Sequence, residues 1–165
     1  MYLHGSNAKA LPILDGLIRE QPKNPYLYEI KGEILLSSGK AREAVESYRK
    51  AVQFDPYKTG LIRVQLGHAM LETYDRSLAN SAIVEIKAGL SRDPTNSRGY
   101  GLLARAYSAM GNEDMARSAA AEEAYYALRV DDAKRLANLA QPKLKRGTPE
   151  WLRMQDIIDY KPPKK

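Results

Sequence analysis

A period of 34 residues constrains this chain more than any other feature. Ala10, Leu14, Leu17 and Pro22 are answered 34 positions later by Ala44, Tyr48, Ala51 and Pro56, and Gly5 by Gly39. Between Pro25 and Pro56 the apolar residues recur at helical spacing in two runs joined at Ser38-Gly39-Lys40, which predicts two amphipathic helices. Small residues stand where such helices must touch: Gly32 on the first, Ala44 and Ala51 on the second. Tyr48 follows Ala44 by one turn, and Pro56 closes the unit because proline cannot continue a helix. A helix pair of this length cannot bury its apolar side alone, so it must stack on neighbours like itself.

The same spacing divides the rest of the chain, read as one domain over 1–165. Residues 1–22 look like the second helix of a pair whose first helix is missing, with the turn at Gly5 and Met1 to His4 as the last turn of the absent helix. An open half-unit leaves an apolar face uncovered. Two expectations follow: that the chain is cut from a longer protein, and that a second copy pairs on the Leu14 and Leu17 side. Residues 25–56 form a complete unit. Residues 60–94 form another, with Leu66, Gly67 and Met70 on its first helix and Ala82, Ile86 and Gly89 on its second. Gly67 lies 15 residues before Ala82, against 12 from Gly32 to Ala44, so the turn carries a three-residue insertion in the polar stretch 74–81. A third unit spans 97–128, opened by Thr95-Asn96 as a helix cap. Its alanine-rich second helix, Glu113 to Leu128, has small residues on more than one face and is expected to serve also a degenerate helix at 131–141. Thr148-Pro149-Glu150 starts a closing helix over 149–160, with Trp151, Met154 and Ile158 on one face and Trp151 plugging the end of the stack. Residues 161–165 are expected to be disordered.

The layout resembles the tetratricopeptide repeat. Tyr28, Gly32, Leu35, Ala44, Tyr48, Ala51 and Pro56 fall on its signature positions, and Lys31, where leucine is usual, departs from it. The resemblance implies an all-α fold, a right-handed α-solenoid of stacked antiparallel helix pairs. It also implies a concave groove lined by the first helix of each repeat. The lining positions are Tyr26, Glu29, Glu33 and Leu36, then Leu61, Val64, His68 and Leu71, then Arg98, Gly101, Arg105 and Ser108. The groove would take a protein or peptide ligand, and Arg98 with Arg105 would suit a carboxylate, which guanidinium pairs bidentately. His68 beside Leu61 and Val64 is read as a half-buried packing residue.

Nothing in the sequence points to catalysis, a cofactor or a metal. There is no cysteine, hence no thiolate zinc site or disulfide framework. The two histidines, His4 and His68, belong to no His-Glu-x-x-His pattern and show no metal-binding neighbour four residues away. No nucleophile elbow or phosphate-binding loop is present. The carboxylate pairs Glu122/Glu123 and Asp131/Asp132 are adjacent, diverge on a helix surface, and read as solvated charges. No apolar run approaches a membrane span. The net charge of +6 is concentrated near the end, where residues 142–165 carry 7 basic and 3 acidic groups. The helical body is close to neutral, which argues against nucleic acid as a partner.

Three stretches narrow the resemblance further: residues 10–35, Tyr48-Arg49-Lys50-Ala51-Val52 leading to Leu61-Ile62-Arg63, and the ending Arg146-Gly147-Thr148-Pro149-Glu150-Trp151-Leu152-Arg153-Met154-Gln155-Asp156-Ile157. They resemble the C-terminal repeat region of bacterial periplasmic zinc metallopeptidases, relatives of the CaaX-prenyl endopeptidases. That likeness implies a periplasmic location and a role in outer-membrane protein assembly or quality control, with no catalytic residue in this chain. The alternative is a free-standing cytosolic scaffold or chaperone adaptor.

Overall fold

The computed structural model describes residues 3–161, with side chains from residue 9 onward. Among the described residues there are nine α-helices and no strand: α1 Leu3–Glu20, α2 Pro25–Ser37, α3 Ala41–Phe54, α4 Gly60–Glu72, α5 Ala79–Leu90, α6 Ser97–Ala109, α7 Glu113–Tyr126, α8 Val130–Ala140 and α9 Pro149–Asp159. The chain divides into two compact units, Met1–Arg92 and Asp93–Lys165.

In the first unit the pair α2–α3 is set by one close approach. A Cβ on Gly32 would lie 2.9 Å from the ring of Tyr48, and Tyr48 is 1% exposed. Glycine is therefore required where the aromatic of the second helix presses on the first. Tyr28 is also buried and donates its hydroxyl to the Pro22 carbonyl at 2.9 Å. The pair α4–α5 approaches more closely still. At Gly89 a Cβ would stand 2.6 Å from the Gly60 carbonyl oxygen and from Val64 Cγ2. The turn between α2 and α3 is Ser38–Lys40; between α4 and α5 it runs from Thr73 to Leu78, three residues longer, and holds a short 3-10 turn at Arg76–Leu78. Asp75 caps that turn by accepting the Ser77 N–H at 3.0 Å.

The first helix differs from its sequence reading. Gly5 lies inside α1, not at a turn, because the helix is continuous from Leu3. Met1 and Tyr2 lie outside the described residues. Leu14 is buried, whereas Ile13 and Leu17 are exposed, so only part of the face expected to be open is open. Lys31 accounts for the departure in the repeat signature: its ammonium pairs with Asp15 of α1 at 2.6 Å, tying α2 to α1 by charge where leucine would do so by packing.

In the second unit α7 packs on both α6 and α8. Its Ala121 and Ala124 join Ala133, Ala137 and Ala140 of α8 and Met154 and Ile157 of α9 in one core. Small residues let three helices approach closely, and the two large side chains of α9 fill the space. Thr148 caps α9 by accepting the Trp151 N–H at 3.3 Å. The buried face of α9 is Met154 and Ile157, with Ile158 packed beside them. Trp151 is only partly buried, with the Arg146 guanidinium over its ring at 5.8 Å. It stands in the first turn of α9, at the edge of the core and not in its plug. Residues 162–165, part of the tail expected to be disordered, lie outside the described residues.

Candidate functional site

The sequence-derived groove positions fall on both units, and each unit carries its own part. In the first, Tyr26, Glu29, Ile30 and Glu33 follow one stripe along α2, three and four residues apart. Tyr26 is 57% and Ile30 45% exposed; Glu29 is half-buried and Glu33 exposed. On α4, Leu61 is 49% exposed, while His68 and Leu71 are half-buried. Val64 is a correction. At 2% exposure it belongs to the core, because α5 offers Gly89 there and the two backbones close over the Val64 methyl.

His68 bears a second correction. A carboxylate does stand four residues away: Glu72 Oε1 lies 3.5 Å from His68 Nε2 on the same helix face. Among the described residues, no group of three or more His, Cys, Asp or Glu side chains is placed to hold a metal ion.

The electrostatics of this face are acidic. Burial, reinforced by Glu33 and Asp55, raises the Glu29 carboxyl above the usual carboxylate range. Burial also pushes Asp55 upward, but hydrogen bonds from the Thr59 N–H and hydroxyl and the Tyr57 N–H, together with the Arg63 charge, outweigh it and hold Asp55 low. Asp55 thus closes the turn into α4 as an anion. Arg63 is committed to Glu85 at 2.6 Å.

In the second unit Arg98, Arg105 and Ser108 are exposed on α6, and Gly101 is half-buried. A Cβ on Gly101 would meet Glu123 Cγ of α7 at 3.4 Å.

This unit also holds a constellation that sequence reasoning missed. Glu122 is not solvated: it is 8% exposed and is gripped by Arg153 of α9. Arg153 Nε donates to both carboxylate oxygens, at 2.9 and 3.0 Å, and a terminal guanidinium nitrogen donates at 3.0 Å. That nitrogen also reaches the Tyr126 hydroxyl at 3.3 Å. The guanidinium lies over the Tyr125 ring at 4.7 Å, and Tyr125 meets Tyr126 and Tyr160 edge-on. Tyr100 of α6 stacks on Tyr126 at 5.3 Å. Burial works against the Arg153 charge, but hydrogen bonding and attraction from Glu122 raise its pKa. Burial, with the nearby Glu122 charge, pushes the Tyr100 hydroxyl well above its ordinary value. These groups are fully engaged with one another, which makes the cluster a clamp between α7 and α9. The alanine content of α7 signals an enclosed charge, since a helix packed on two sides cannot leave every charge in water, but it does not name the partner. Glu123, its neighbour, does face outward and pairs with Arg129.

Residues 25–58 match the family model for the tetratricopeptide repeat. No curated protein matches the chain. Among solved structures the chain is similar to a crystal structure of MamA, with a TM-score of 0.72 and 19% identity over 93% of this chain and 85% of that one. It is also similar to MamA 41-end from Desulfovibrio magneticus RS-1, with a TM-score of 0.69 and 18% identity over 93% and 82%. At such identities the likeness is one of fold. The chain is all-α, built of tetratricopeptide-type helix pairs, an architecture suited to protein–protein interaction.

Proposed function

We propose that the chain is a protein-interaction module that receives a peptide or partner segment on the first helices of its repeats. Tyr26, Glu29, Glu33, Leu61, His68 and Leu71 form one such surface in the first unit, and Arg98 and Arg105 form another on α6. The observation that carries this is the exposure of Tyr26, Ile30 and Leu61 on α2 and α4. Tyr26 and Ile30 are neighbours one turn apart on α2, and apolar side chains grouped in water mark a contact surface. The resemblance of residues 10–35 and 146–157 to the repeat region of periplasmic zinc peptidases supports a finer reading. On it, this is the non-catalytic region of such a peptidase, acting in outer-membrane protein assembly or quality control. Exposed Ile13 and Leu17 on α1 are where a second copy would pair.

Selection of a random dodecapeptide display library against the purified chain tests the interaction reading. Selected peptides should bind, and Tyr26→Ala with Leu61→Ala should weaken them by about tenfold or more. Val84→Ala, equally exposed but on α5, should change nothing. Failure to select any binder, or indifference to the α2–α4 substitutions, overturns it. Recovery of the native protein in the cytosolic rather than the osmotic-shock fraction overturns the periplasmic assignment.

A further inference from the structure

We infer that the segment received on the α2–α4 face of the first unit is cationic, a lysine or arginine flanked by apolar side chains. This rests on the interaction reading above and names the chemistry of the ligand. Glu29 and Glu33 lie one turn apart on α2 and alternate along it with the exposed Tyr26 and Ile30, so acidic and apolar groups share one stripe.

Among the described residues neither carboxylate has an ion-pair partner. Lys31 of α2 and Arg63 of α4 are paired elsewhere, Lys31 with Asp15 at 2.6 Å and Arg63 with Glu85 at 2.6 Å. Asp55, the third carboxylate of the group, is satisfied by backbone N–H groups of Tyr57 and Thr59 but keeps its charge. The face therefore holds Glu29 against burial and against two like charges. A ligand ammonium or guanidinium relieves that repulsion, and a carboxylate increases it. Tyr26 offers a ring face that a cation also favours, and Leu61 on α4 supplies the apolar contact. The same repulsion disfavours an anionic ligand on this face.

Fluorescence anisotropy with three labelled twelve-residue probe peptides tests the inference. The peptides share alternating leucine and serine, with three positions set to lysine, to glutamine or to glutamate. The lysine peptide should bind about tenfold more tightly than the glutamine peptide, the glutamate peptide should not bind, and added salt should erase the preference. Glu29→Gln with Glu33→Gln should abolish the discrimination while circular dichroism shows the helices intact. Glu43→Gln with Glu46→Gln, the same charge change on α3, should leave it in place. If the glutamine peptide binds the wild-type chain as well as the lysine peptide does, or the glutamate peptide binds best, the cation assignment is wrong and the interaction face stands. If none of the three binds, or Tyr26→Ala with Leu61→Ala changes nothing, the face itself is wrong.

Discussion

At the scale of single residues the left-handed turn positions show how much this sequence departs from ideal repeat chemistry. Gly39 at φ 75° and Gly111 at φ 74° end the first helices of their pairs. In each case the following N–H reaches back to a helix carbonyl, Lys40 to Leu35 and Asn112 to Tyr107, both at 2.9 Å. Leu128 occupies the same place between α7 and α8, at φ 62°, with Arg129 N–H donating to Ala124 at 2.8 Å. A side chain in that conformation costs about 1–2 kcal/mol, and Leu128 recovers little of it by packing, since it is 84% exposed. Leu128→Gly should therefore stabilise the protein by about 0.5–1 kcal/mol after the added unfolded-state entropy is counted. Urea unfolding measures it, and unchanged or lower stability would show that the leucine packs in solution. Close approaches were legible at this scale, because glycine at position 32 and tyrosine at 48 carry the contact in their identities. Val64 was not, because its burial depends on Gly89, which lies 25 residues further along the chain.

At the scale of helices, what holds α9 is a mixed device: two large apolar side chains and one partly buried ion pair. Removing one partner of such a pair leaves a charge without compensation, which costs more than the intact pair contributes. Glu122→Gln should lower stability by about 1–3 kcal/mol, the guanidinium being partly exposed, with Arg153 left against Tyr125 and Tyr126. Combining it with Arg153→Met should recover part of that loss, since no charge is then stranded. Trp151 is the only tryptophan and sits in the first turn of α9, so its fluorescence reports the release of this helix during unfolding. A double variant no more stable than the single one would show that packing by the arginine stem, not its charge, secures the helix. The helix boundaries of α9 were legible from Thr148 and Pro149, which act locally. The clamp was not, because Glu122 and Arg153 are 31 positions apart and neither has a local neighbour that betrays the other. Likewise Ile157 and Ile158 both stand at helical spacing from Met154, and only the direction of α8 decides that Ile157 is the one enclosed.

At the scale of the whole chain, periodicity made the helix-pair fold legible, and the same pattern bears on metal chemistry. Stacked helix pairs place most side chains by the repeat, and ligand clusters arise only where several repeats converge or one helix supplies residues four apart. This chain has no cysteine and two histidines. Of those, His68 has Glu72 on its own helix face at 3.5 Å; with two ligands, that pair falls short of the four a structural zinc site uses. A ligand that bound only the folded state would raise the melting temperature in proportion to its occupancy. Equimolar zinc should therefore leave the melting temperature unchanged, and chelator should leave it unchanged as well. A rise of more than about 2 °C with zinc, cancelled by His68→Ala but not by the same substitution at His4, would show that His68 and Glu72 recruit further ligands. A rise that both substitutions abolish would instead require the two histidines to meet.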